Sequence, residues 1–202
     1  MGLSQDDLLR SQILQTAQQL YQRHGIRKVT MDDLAKAVGK TRSALYYYFK
    51  NRDELLEAVL LSLVQDVKTE LENIMSLKND LESKIASFCT AKIRGSEKSK
   101  NFISSIESGM DSDERSKYSD IMWNVHQKMM QAETILLKKV IQQAVDKKEI
   151  PAQNGKDLEA LLFVLLSGIR GIRREITIDI YAEQSEKGAA ILANLVTKEL
   201  KR

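Results

Sequence analysis

The chain has 202 residues, 43% of them hydrophobic, which is enough for one or two small domains with a proper core. A single cysteine excludes an intrachain disulfide, and one proline with nine thinly spread glycines leaves helical periodicity almost uninterrupted. The net charge of +3 is unevenly placed: residues 1 to 52 carry 9 Lys and Arg against 4 Asp and Glu, a net of +5, whereas residues 53 to 202 carry 22 against 24. A basic amino-terminal segment favours a phosphate backbone and salt-dependent affinity, while the near-neutral remainder suits a different partner.

In chain order, Ile13, Ala17, Leu20 and Tyr21 mark a first helix that runs to Gly25. Thr30 and Asp33 then form a capping box, in which the hydroxyl takes the Asp33 amide and the carboxylate returns to the cap. Leu34, Ala35 and Val38 share one face of the helix that follows. Gly39 supplies the freedom that a tight bend needs, and Thr41 is placed to cap the next helix through its side-chain oxygen. Asn51 with Glu54 repeats the capping pattern for a further helix. Two short helices around a tight turn make a helix-turn-helix.

Within Arg42 to Phe49, helical spacing puts Leu45, Tyr48 and Phe49 on or near one face. Arg42 with Tyr46, and Ser43 with Tyr47, fall on the other. A short helix presenting Arg, Ser and two Tyr residues suits a major groove. There Arg binds a guanine edge bidentately and phenol hydroxyls reach phosphates. Three consecutive tyrosines also fit a plain core, but a core does not call for the outward Arg42, Ser43 and Tyr47 or the flanking Lys40, Lys50 and Arg52.

From about Ile13 to Leu60 the chain resembles the TetR family of bacterial transcriptional regulators. The resemblance rests on Ile13, Ala17, Leu20, Tyr21, Gly25, Thr30, Leu34, Ala35, Gly39, Leu45, Tyr46, Phe49 and Leu55 at the family spacing. It implies that Thr41, Arg42 and Ser43 read bases, that Tyr46, Tyr47, Tyr48 and Arg52 lie on or near phosphates, and that Thr30 clamps the backbone. Two positions depart from the family pattern. Lys40 stands at a turn position usually held by a small apolar residue, from which it snorkels out to add a phosphate contact. Arg52 stands where Lys is commoner, keeping the charge but changing donor geometry.

After the turn, Leu55, Leu56, Val59, Leu60, Leu63, Val64, Val67 and Leu71 predict one connecting helix from Arg52 to about Met75. The resemblance makes this helix the mechanical link between a DNA-binding head, residues 1–51, and a helical effector-binding and dimerisation body, residues 52–202. From Asp80 to Glu149 the pattern predicts about three helices, with breaks near Gly95 to Lys100 and Gly109 to Ser116. Phe88, Phe102, Met110, Met122, Trp123 and Met129 supply soft or aromatic side chains there. They suit either plain core or an adaptable apolar pocket, and the resemblance implies a small-molecule effector.

Glu149, Ile150 and Pro151 end one helix, and Asp157 to Glu175 forms another, with Leu158, Leu162, Leu165 and Ile169 in a wide apolar stripe. Gly168 and Gly171 inside it suggest the close approach of another backbone. A last helix, from about Glu183 to Leu200, offers Ala189, Ala193 and Val196. Two such helices are expected to pair with their twofold copies as a four-helix bundle, or to pack within one chain. A homodimer is what two operator half-sites on double-stranded DNA require. Arg170, Arg173 and Arg174 complement the helix dipole.

The remaining signals are bland. Cys89 falls in an apolar pattern that predicts a buried thiol rather than a redox sensor. No apolar stretch approaches the ~20 residues of a membrane span, and no lipidation motif opens the chain, so a cytoplasmic home is expected. His24 and His126 stand far apart, and no metal, cofactor or catalytic motif appears, so no enzyme, metal or cofactor is expected. The expectation is an all-α, ligand-responsive repressor. The alternatives are a helical protein-interaction adaptor and a DNA-binding protein without an effector.

Overall fold

The computed structural model describes residues 4–95, 97–107, 110–176 and 182–202. They form α1 (Gln5–His24), α2 (Met31–Val38), α3 (Arg42–Tyr48), α4 (Arg52–Ser76), α5 (Leu81–Arg94), α6 (Glu97–Glu107), α7 (Ser112–Asp146), α8 (Gly155–Ile176) and α9 (Ala182–Leu200). Among the described residues there is no strand, as the composition predicts. The expected connecting helix is α4, and the three expected middle helices are α5 to α7. Residues 96 and 109, within the two expected breaks, and residue 108 lie outside the described residues.

The chain divides into two compact units. The first takes the residues up to Asp66 with α6 and α7 as far as Lys128, and the second takes Val67–Gly95 and Met129–Arg202. α4 and α7 therefore each contribute to both. In the first unit Ile13, Ala17, Tyr21, Leu34, Leu45, Phe49, Leu55 and Val59 bury one core with Phe102 and Ile106 of α6. Each fully buried side chain of this size contributes roughly 1.5–3 kcal/mol. That core fixes α2 and α3 against α1.

In the second unit α5, α8 and α9 pack on one another. Their core holds Ile85, Phe88, Leu137, Leu162, Leu165, Ile169, Ala189, Ala193 and Val196. This corrects the expectation that Leu162, Leu165, Ile169, Ala189, Ala193 and Val196 face a twofold partner: each is at most 3% exposed in the single chain, so none offers surface to another molecule. Leu158 is partly buried against the same core. The outward face of the pair carries Phe163 and Val164 of α8 with Ile191 and Leu195 of α9, all more than half exposed. Gly168 does meet a close neighbour, but it is the Leu192 side chain, 3.1 Å from where a Cβ would stand, and not another backbone. Gly171 faces open space.

Two further features of this unit bear on its chemistry. Cys89 is fully buried, and burial pushes its thiol up to about 12, the inert thiol the apolar pattern predicts. Lys92 of α5 and Glu133 of α7, 5% and 4% exposed, meet at 2.5 Å inside the apolar core. None of the described helices is long and apolar enough to cross a membrane.

Candidate nucleic-acid interface

Local capping chemistry builds the helix-turn-helix. Thr30 Oγ1 accepts the Asp33 N–H at 3.2 Å and donates to Asp33 Oδ2 at 2.7 Å, while the Thr30 N–H reaches the same carboxylate at 2.9 Å. These bonds, the hydroxyl first, hold the Asp33 carboxyl below the usual range. The stability contributed by the carboxylate half of the box is therefore present at neutral pH and is lost as pH falls through that lowered pKa. At the other end of α2, Gly39 sits at φ 68° and ψ 33°, which lets its N–H close on Lys36 while the Lys40 N–H closes on Ala35. Thr41 then caps α3, its Oγ1 accepting the Ala44 N–H at 3.2 Å. At α4 the box is offset: Asn51 Oδ1 takes the Glu54 N–H, but the Glu54 carboxylate returns to Lys50 at 2.7 Å.

Thr30→Ala removes the cap and releases Asp33. It is expected to lower stability by about 0.5–2 kcal/mol, read as a drop in the thermal midpoint.

The outward face of the motif is Lys40, Thr41, Arg42, Ser43, Tyr46 and Tyr47, all exposed, with Tyr47 the most open at 77%. Leu45 and Phe49 point the other way into the core. The Arg42 guanidinium lies 5.5 Å over the Tyr46 ring, donates to the Tyr46 hydroxyl at 3.3 Å and meets Asp32 at 3.3 Å. The Tyr46 hydroxyl and then Asp32 strengthen its hold on its proton.

Three residues expected beside DNA have donors committed within the first unit. Thr30 directs both donors at Asp33. Tyr48 donates its hydroxyl to Asp6 of α1 at 2.8 Å and is partly buried, on the packing side where helical spacing puts it. Arg52 donates to the Ile26 carbonyl at 3.3 Å and pairs with Glu114 at 3.7 Å. Glu114 also takes Arg27 at 3.3 Å.

The six residues expected to line an effector pocket divide between the two units. Phe102 and Met110 are core of the first unit, with Met122 packed on it, while Trp123 is 62% exposed beside His126. Phe88 is core of the second unit, and the Met129 sulfur lies 3.9 Å from Lys92 Nζ. Helical spacing identifies apolar residues but not which of them face a cavity. Among the described residues no cluster of His, Cys, Asp and Glu could hold a metal ion.

Residues 13–59 match the family model described as bacterial regulatory proteins, tetR family. These residues form a TetR-family domain. Within this TetR-family head, the regulator TtgR of Pseudomonas putida is 39% identical over 54 residues, 27% of this chain and 26% of TtgR. The match thus spans about a quarter of that relative's length. The regulator SrpR of Pseudomonas putida is 26% identical over 175 residues, covering 82% of this chain and 74% of SrpR. Among solved structures, the SmeT–triclosan complex shares the fold at a TM-score of 0.57 with 16% identity, over 96% of this chain and 92% of that one.

Two features of the chain escaped sequence reasoning. Asp32 stands in the first turn of α2, and nothing in the local sequence ties it to a residue ten positions later. The exposed Phe163 and Val164 had a signal. Leu161 to Leu166 is six apolar residues in a row, and such a run covers more than one helix face.

Proposed function

We propose that the chain is a transcriptional repressor that binds a palindromic operator as a homodimer and is released or repositioned by a small-molecule effector. The observation that carries the reading is the exposed face of Lys40, Thr41, Arg42, Ser43, Tyr46 and Tyr47 on a rigidly capped helix-turn-helix. It lies in a segment of net charge +5. Arg42 is the base reader, with Thr41 and Ser43 beside it, and Tyr46, Tyr47 and Lys40 meet phosphates. Residues 1–51 serve as the DNA-reading head and residues 52–202 as the effector and dimerisation body. The protein works in the cytoplasm.

The dimer forms through the outward face of α8 and α9, where Phe163, Val164, Ile191 and Leu195 are exposed in the single chain. Apolar patches of this kind mark contact surfaces. The effector reading draws support from SmeT, a protein of the same fold whose structure is described as a triclosan complex. An apolar or amphipathic molecule in the body weakens DNA affinity as far as it prefers the non-binding conformation.

The test is selection of the full chain on a random double-stranded DNA library at near-physiological salt, followed by sequencing. Recovery of an inverted repeat is the expected result. Arg42→Ala is then expected to lose about 1–3 kcal/mol on the recovered duplex, roughly 5- to 150-fold in Kd, with relaxed choice at one position of each half-site. Retention without enrichment, vanishing at modest salt, overturns the reading.

A further inference from the structure

We infer that Asp32 is a specificity-determining residue, which holds the Arg42 guanidinium for base reading and penalises its use on phosphates. The inference rests on the DNA-reading proposal above. Arg42 opens α3 and is exposed, so its long side chain has no packing to fix it. Instead, two neighbours hold the guanidinium from different elements. Asp32 Oδ2, in the first turn of α2, stands 3.3 Å from Nη1. The Tyr46 hydroxyl, one turn along α3, stands 3.3 Å from Nη2, with its ring beneath the guanidinium carbon at 5.5 Å.

The side chains of Arg42 and Asp32 are 59% and 50% exposed, and an ion pair so open to water contributes little to folding. Its consequence falls on what the guanidinium does. Arg carries large rotamer freedom, and a fork already held in place loses less of it on meeting a guanine edge. The same carboxylate acts against the wrong complex. Where Arg42 moves off to grip a phosphate, Asp32 is left beside the polyanion without its cation, and like charges repel. One residue therefore favours the specific complex and disfavours the nonspecific one.

The experiment measures the Kd of the full chain on the duplex it enriches from a random library and on a scrambled duplex of the same composition, for wild type, Asp32→Asn, Arg42→Ala and the double variant. Asp32→Asn is expected to bind the scrambled duplex more tightly and to lower the ratio of the two affinities about fivefold or more. In the Arg42→Ala background the same substitution is expected to leave that ratio unchanged, since the two residues act through one contact. Asp32→Glu, which keeps the charge, is expected to retain part of the ratio. Thermal midpoints of the five chains separate this from a folding effect. An unchanged ratio in Asp32→Asn, or an equal loss with and without Arg42, overturns the inference while the operator itself stands. A wild-type chain that enriches no sequence overturns the DNA-reading proposal and this one with it.

Discussion

Lys92→Met is expected to destabilise the chain by about 3–5 kcal/mol, one of the largest losses any single substitution outside the head should produce. Lys92 and Glu133 are 5% and 4% exposed and meet at 2.5 Å between α5 and α7, with the Met129 sulfur 3.9 Å from the ammonium. Removing the cation leaves a carboxylate in apolar surroundings, where an uncompensated charge is far more costly than the pair was favourable. The companion expectation separates this from simple loss of volume. Lys92→Met combined with Glu133→Leu removes both charges and keeps the space filled, and such replacements are neutral or stabilising by about 1–4 kcal/mol. Denaturant midpoints of the two variants check the pair. Equal destabilisation of single and double variants would mean that packing, and not the orphaned charge, sets the cost.

What was legible in the sequence was local. Thr30 with Asp33, Gly39, and Thr41 with Ala44 are interactions over three or four residues, so side-chain type and spacing determine them, and the structure forms each one. Tyr48 is instructive because two arguments disagreed. Spacing grouped it with Leu45 and Phe49 on the packing side, family likeness carried it to phosphates, and its hydroxyl lies on Asp6. Its environment follows the spacing.

Contacts between distant positions were not legible. Nothing near Arg52 announces Glu114, and nothing near Lys92 announces Glu133, because each pairing is set by helix packing across many residues. The stripe through Leu162, Leu165 and Ile169 is buried, as its periodicity predicts, but its cover is the chain's own α5 and α9 and not a second copy. Apolar periodicity reports that a face is covered. It is silent on whose atoms cover it.

That distinction gives the other large expected effect. Phe163→Asp with Leu195→Asp is expected to convert the proposed dimer to a monomer and to cost about 10²–10⁴ in operator affinity. A lone head keeps its contacts but loses the second half-site held at high effective concentration. The substituted side chains are 65% and 60% exposed in the single chain, so new charges there should change the folded monomer little. In a paired apolar face the same carboxylates would be desolvated against one another, which is costly. Leu165→Ala provides the contrast. Leu165 is fully buried among the chain's own helices, and its truncation is expected to lower stability by about 2–5 kcal/mol without acting at the partner surface. Sedimentation mass and operator Kd together decide the matter. A double variant that still sediments as a dimer would move the twofold contact away from Phe163 and Leu195, and a dimer held through Leu165 would require the α8 and α9 pair to repack.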